Sequence, residues 1–246
     1  KNKIKEISDA LDYINKERDD QKSESNYDHE KDKQGTTKPS VRYRVGQSMD
    51  AIWAVRSLGI DPGSGEEILT KDGRKTYAWN ADDQVVCGDK LPKLSGTFGF
   101  NFEYRGFGVN TSFFYRLGGQ MYNQTLVDKV ENADLMRNAD KRVLDLRWMK
   151  VGDTAKFKGM NTGIDGAGTK ATSRFVMDEN TFQMTSIALS YRMDRTNTKF
   201  LERWGLSSVK FAFNMEDLFY LSSVKQERGT DYPFARRFSF SLNVAF

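Results

Sequence analysis

Between residues 94 and 246 the chain repeats one pattern five times, with apolar side chains at every second position and small or polar ones between them. Phe98, Phe100, Phe102 and Tyr104 alternate with Gly99, Asn101 and Glu103. Phe107, Val109, Thr111, Phe113 and Tyr115 alternate with Gly108, Asn110, Ser112, Phe114 and Arg116. Ile187, Leu189, Tyr191 and Met193 are set against Ala188, Ser190 and Arg192, and Val209, Phe211, Phe213 and Met215 against Lys210, Ala212, Asn214 and Glu216. Finally Phe238, Phe240, Leu242, Val244 and Phe246 alternate with Arg237, Ser239, Ser241, Asn243 and Ala245. A period of two places successive side chains on opposite faces of a strand. The pattern predicts strands at about 95–104, 107–116, 183–193, 207–216 and 236–246. Arg105-Gly106 joins the first two as a tight hairpin turn.

The connections between these strands also alternate in length. After the turn at Arg105-Gly106 come a stretch of some sixty residues (117–181), a shorter one (194–205) and a medium one (218–232). Membrane β-barrels alternate short periplasmic turns with long extracellular loops, and a tilted strand needs about 9–11 residues to cross the bilayer. That rhythm places the Arg105-Gly106 turn, the 194–205 connection and Phe246 on the periplasmic side. The apolar set (Phe98, Phe100, Phe102, Tyr104, Val109, Phe113, Tyr115, Ile187, Leu189, Tyr191, Val209, Phe211, Phe213) is then expected to face lipid. The set Asn101, Glu103, Asn110, Arg116, Ser190, Arg192, Lys210, Asn214 and Asn243 is expected to face the lumen. A soluble antiparallel sheet with one face on a core gives the same alternation. It would need another segment to cover five aromatic-rich strands, and an uncovered face of that size aggregates.

The first 93 residues read differently. Ile4, Ile7, Leu11 and Ile14 form the stripe of a short amphipathic helix over 4–14. Residues 15–40 are almost all charged or polar and predict a linker without a core of its own. Ala51 to Val55 is a compact apolar anchor, 59–65 is dense in turn residues, and Asp72-Gly73 centres a small hairpin over 66–80. The acidic residues Asp61, Asp72, Asp82 and Asp83 lack the spacing of an EF-hand loop and read as turn chemistry.

Composition narrows the function classes. The 246 residues are 38% hydrophobic and 13% aromatic, with a mean hydropathy of −0.68. No apolar run approaches the roughly 18 residues of a membrane helix, whereas alternating strands average to a polar score. The net charge of +4 is mild and interspersed, with no basic stripe to suggest nucleic acid. His29 is the single histidine and Cys87 the single cysteine. This argues against a histidine-based triad, a zinc site, any cofactor and, with them, an enzyme. The chain begins at Lys1 without a signal peptide's regions, which suggests a piece of something longer.

In this order and spacing, several short motifs resemble the C-terminal part of the SusC/RagA family of TonB-dependent outer-membrane transporters of Bacteroidota. They are Gly46-Gln-Ser-Met49 with Ala51-Ile-Trp-Ala-Val55, Gly59-Ile-Asp-Pro62 with Gly65-Glu66, and Gly88 and Pro92 ahead of Gly96. Tyr104-Arg-Gly-Phe107, Arg147-Trp148 with Gly152-Asp153, Ser173-Arg-Phe175, Leu189-Ser-Tyr191, Asp217-Leu-Phe219 and Phe246 continue the series. Glu216-Asp217 departs from the family's usual Asn-Leu-Phe run.

The resemblance implies an all-β fold, here a partial antiparallel transmembrane barrel: the last five strands of a barrel of about 22, with 1–93 as an extracellular loop region and 94–246 as barrel wall. It implies outer-membrane location, import of glycans or peptides, a SusD-like lipoprotein lid, and energy from the TonB complex through a part not present. It makes Phe238, Phe240, Leu242, Val244 and Phe246 the terminal assembly signal; Trp53, Trp79 and Trp148 are candidate cargo contacts, with packing within the loops the more expected role for each. Five strands cannot close on themselves, so transport by the chain alone is not expected. A passive channel or adhesin barrel and a soluble carbohydrate-binding sheet remain the alternatives.

Overall fold

The computed structural model describes residues 2–9, 37–39, 41–133, 140–160, 169–195, 198–224 and 236–246. In chain order its strands are β1 (Ala51–Val55), β2 (Ser57–Ile60), β3 (Glu67–Lys71), β4 (Arg74–Thr76), β5 (Gln84–Asp89), β6 (Leu94–Tyr104), β7 (Phe107–Tyr122), β8 (Val176–Asp194), β9 (Ser208–Ser222) and β10 (Arg237–Ala245). Two short helices are α1 (Gln124–Leu126), which runs on as a π turn over Val127–Glu131, and α2 (Lys199–Arg203). No helix among the described residues is long and apolar enough to cross a membrane, which says nothing of crossing by strands.

The five alternating stretches form one antiparallel sheet in the order β10-β9-β8-β7-β6. The register keeps like with like. Phe98 lies opposite Phe113 and Phe102 opposite Val109, while Asn101 lies opposite Asn110. Phe213 is flanked by Leu189 and Phe240, and Asn214 by Ala188 and Ser239. A slip by one residue in any pair would exchange the two faces. The β6–β7 turn has both central residues at positive φ, Arg105 at 49° and Gly106 at 82°, the type I′ geometry whose twist suits a hairpin. Gly106 is required there twice over, because a Cβ would also lie 2.2 Å from the Arg192 carbonyl oxygen.

β7, β8 and β9 run longer than the alternation predicts, and a bulge accounts for the change of phase on β8. The β8–β9 register shifts between Met184 and Ser186, and Asp217 on β9 takes φ 53°. Beyond this point the apolar face is carried on β8 by Met184 and Phe182, even-numbered rather than odd, opposite Phe219 and Leu221. The bulge changes the phase of β8 without changing its face.

The described residues divide into two compact units, 1–91 with 119–178 and 92–118 with 179–246. The units thus do not fall on either side of residue 93. The stretch 119–178 has its own core with the N-terminal part, because Ile52 of β1, Tyr122, Val127, Val130, Phe157, Ala171 and Phe175 are buried together. In that unit β1 pairs with β5 and β2-β3-β4 form a small sheet whose hairpin turns at Asp72-Gly73. Of the helix expected over 4–14, residues 4–8 are not helical and Asp9 is. Ile4 is instead bonded through its backbone to Gln47 and Gly46, and the helix expected from residue 10 on lies outside the described residues.

Buried charge holds this first unit. Arg174 donates to Glu131 (Nη2–Oε1 2.6 Å) and to Glu67 (Nη2–Oε2 3.0 Å, Nε–Oε1 3.1 Å). It also donates to the Lys156 carbonyl at 2.6 Å. Burial opposes the charge on Arg174, but Glu131 and Glu67 outweigh it and its pKa is raised. Arg147 is buried and caps four backbone carbonyls, those of Val143, Lys158, Val130 and Glu131. Burial, only partly opposed by Glu131, lowers its pKa.

At the 59–66 turn Asp61 accepts from the Gly63 amide (2.9 Å), the Ser64 hydroxyl (2.9 Å) and the Tyr77 hydroxyl (2.8 Å). These donors, the Gly63 amide first, lower the Asp61 pKa below 3.8. A depressed carboxylate stabilises the fold above its ordinary pKa and loses that contribution as pH falls through the folded value. Protection factors for amide hydrogen exchange over 59–66 should therefore hold down to about pH 4 and fall below it. Asp61→Ala should show the low protection at every pH.

Candidate functional site

The two faces of the five-stranded sheet are the part of the molecule with an evident surface role. On one face the rings form a continuous ladder across four strands. Phe98 stacks on Phe113 (5.1 Å between centroids), Phe113 on Phe182 (5.7 Å), and Phe182 meets Phe219 (5.8 Å). Phe100 closes on Phe98 edge to face at 5.9 Å. Phe211 and Phe240 continue the row toward β10 at 6.3 Å. The rings are not covered by protein: Phe100 is 64% exposed, Phe102 60% and Phe240 66%. Such rings gain about 0.5–1.5 kcal/mol per pair beyond burial, so the ladder fixes register even where nothing packs on it.

The other face is concave and polar. A depression of about 410 Å³ is lined by Asn101, Glu103, Asn110, Ser190, Arg192, Lys210 and Asn214, with Gly106, Gly108, Ala188 and Ala212 between them. Val109 and Leu189 also border it. Gly108 makes room, since a Cβ there would lie 2.6 Å from the Ser190 hydroxyl. Arg116 and Asn243 lie outside the depression: Arg116 pairs with Glu179 at 3.7 Å, and Asn243 lies opposite Lys210 in the exposed strand β10. Arg192 is held by Asp194 (2.8 Å), and Arg237 pairs across the strands with Glu216 (3.8 Å). Lys210 and Arg192 face each other directly, a like-charge juxtaposition that favours an anionic or strongly polar neighbour. Tyr104, Tyr115, Ile187, Tyr191 and Val209 belong to the opposite alternation from the depression, with the ring ladder.

The terminal residues Phe238, Phe240, Leu242, Val244 and Phe246 are exposed, Phe246 by 89%. Strand β10 has β9 on one side and no neighbour on the other among the described residues.

The three tryptophans singled out from the sequence have different fates. Trp53 is 3% exposed, with the Arg44 guanidinium 5.2 Å above its ring. Its assignment as a cargo contact is therefore corrected: a ring covered on this scale has no face left for a sugar. Trp79 is half-buried, donates to the Ala171 carbonyl at 3.1 Å and lies under Lys170. Trp148 is half-buried and donates to the Pro62 carbonyl at 2.9 Å. Gly65 accommodates it, since a Cβ there would meet the indole at 2.5 Å. The exposed indole is Trp204 in the connection after β8, 67% open beside Phe200. The sequence signal was a pair of aromatics four apart in an otherwise polar stretch. No group of three His, Cys, Asp or Glu side chains is gathered for a metal among the described residues.

No family model matches the chain. In sequence it is 23% identical over 216 residues to the TonB-dependent receptor P3 of Formosa agariphila, covering 78% of this chain and 20% of that protein. In fold it is similar to the RagAB peptide importer in its open-open state, with a TM-score of 0.65 over 83% of this chain and 23% of that one at 16% identity. It is also similar to the RagAB peptide transporter (TM-score 0.62, 83% and 24% covered, 16% identity). The chain thus spans about a fifth of the curated relative and about a quarter of the structural neighbours.

Fold and comparisons together define the class: a partial antiparallel β-barrel of the kind found in the RagAB importer. The chain is thus similar in sequence to a TonB-dependent receptor and in fold to the RagAB importer, in line with the resemblance its motifs carry.

Proposed function

We propose that the chain is barrel wall and loop domain of a TonB-dependent importer, with no covalent chemistry of its own. The observation that carries this reading is the pair of faces on one sheet, an uncovered aromatic ladder backed by a polar concavity. On this reading the ladder and the terminal apolar positions meet lipid and the outer-membrane assembly machinery. Asn101, Glu103, Asn110, Arg116, Ser190, Arg192, Lys210, Asn214 and Asn243 line the lumen. The unit built from 1–91 and 119–178 is the extracellular side, where a SusD-like lipoprotein and a glycan or peptide cargo make contact, with Trp79 and Trp148 as the remaining stacking candidates. TonB would act through the importer's plug. The sheet's two outer edges, on β6 and β10, support its place within a larger barrel, since lipid does not tolerate unpaired strand edges.

The test is fractionation of cells producing an importer whose barrel includes this chain, followed by uptake of labelled oligosaccharides and oligopeptides. The reading expects an outer-membrane pool released only by detergent, and uptake that stops when TonB is deleted. Recovery as a water-soluble monomer would favour the soluble sheet. Uptake indifferent to TonB would favour the passive channel.

A further inference from the structure

The polar alternation of the five-stranded sheet carries the cations Arg116, Arg192, Lys210 and Arg237. Arg116 pairs with Glu179, Arg192 with Asp194 through Nε, and Arg237 with Glu216. Lys210 makes no ion pair among the described residues. Opposite it stand Arg192 on β8 and the uncharged Asn243 on β10. Directly opposed residues hold their Cβ atoms about 4.5–5.5 Å apart, where like charges destabilise. The depression's own carboxylate does not relieve this. Glu103 lies on β6, three strands from Lys210, about 14 Å across the sheet at about 4.8 Å per strand. Between them the floor is kept low by Gly106, Gly108, Ser190 and Ala212. The cationic end of the depression is thus left open and short of one negative charge.

We propose that Lys210 and Arg192 together bind a carboxylate carried into this depression from outside the five strands. Lys210 brings rotatable N–H donors, and Arg192 a planar fork that suits the two oxygens of a carboxylate. With Asp194 balancing Arg192, a single negative charge neutralises the group, so a carboxylate fits and a doubly charged phosphate overshoots. The volume of about 410 Å³ admits the carboxylate with the chain that bears it. Asn101, Asn110 and Asn214 offer that chain both donors and acceptors. Two sources carry this chemistry: an aspartate or glutamate from a part of the importer seated in the lumen, or an acidic cargo.

The inference rests on reading this face as barrel lumen, and its test separates the two. A carbodiimide joins a carboxylate to an amine in contact with it, forming an amide and releasing a urea. Outer membranes from cells producing the whole importer are treated with it, with and without a biotin-tagged oligoalanine ending in a free carboxylate. Peptides linked to Lys210 are then identified by mass spectrometry. The proposal expects an amide from Lys210 to an aspartate or glutamate outside residues 94–246, which assigns the source to the importer. A link to the oligoalanine terminus supports it equally and assigns the source to cargo. In Arg192→Gln the yield of either link should fall several-fold; an unchanged yield overturns the share given to Arg192. A link to Glu103 or Asp194 alone, or no link at all, overturns the site and leaves the importer reading. An importer missing from the outer-membrane fraction overturns the lumen reading and the site with it.

Discussion

Replacing Arg174 by leucine should destabilise the loop unit by about 3–5 kcal/mol, the cost of leaving buried carboxylates without their counter-cation. Glu131 has no side-chain exposure and Glu67 only 8%, and Arg174 is the shared partner of both. It also ties them to the Lys156 carbonyl, so one truncation cuts three tethers among β3, the π turn and residue 156. The effect should be read as accelerated proteolysis and loss of amide protection within 41–91 and 140–178, with the sheet over 94–118 and 181–222 unaffected. Removing the stranded charges as well, in Arg174→Leu with Glu67→Gln and Glu131→Gln, should recover much of the loss. A protease pattern in Arg174→Leu equal to the wild type would show that the network contributes little.

The second large effect separates the two faces of the sheet. Phe213→Arg places a cation on the apolar face at the middle strand positions, flanked by Leu189 and Phe240. At the bilayer midplane such a change costs about 2–4 kcal/mol, and the assembled fraction in the outer membrane should fall sharply. Asn214→Arg, one residue along, points into the polar concavity and should assemble at the wild-type level. Equal loss for both, or loss only for Asn214→Arg, would contradict the assignment of faces.

How much of this was legible in the sequence depended on the distance over which each interaction works. The faces of β6, β7, β9 and β10 follow from neighbouring residues alone, because side-chain direction has period two and the Arg105-Gly106 turn fixes the first register. Phe182 and Phe219 escaped because the bulge at 184–186 and the positive φ of Asp217 shift the phase of β8 where the alternation was expected to stop. The departure at Glu216-Asp217 from the family's usual residues coincides with that bulge, and a left-handed conformation is one that aspartate tolerates. The loop unit was less legible still. Glu67 and Arg174 are 107 positions apart, so nothing local marks 119–178 as folded. Arg147-Trp148 and Ser173-Arg-Phe175 stood out as motifs, but their reason appears only once Arg147 is seen capping carbonyls, Trp148 lying on Gly65, and Arg174 between two carboxylates. Trp53 took the packing role expected of it over cargo contact, and only its 3% exposure separates it from Trp79 and Trp148.

The claim on which the account turns is that one face of the sheet meets lipid and the other water. The direct test is nitroxide accessibility along β9 in the reconstituted protein, with Cys87→Ser as background. Labels at Phe211→Cys, Phe213→Cys and Met215→Cys should be relaxed by oxygen dissolved in the bilayer and shielded from an aqueous nickel chelate. Labels at Lys210→Cys, Ala212→Cys and Asn214→Cys should show the reverse. A period of two with that phase is the predicted result; uniform access to the aqueous reagent at all six positions would contradict it.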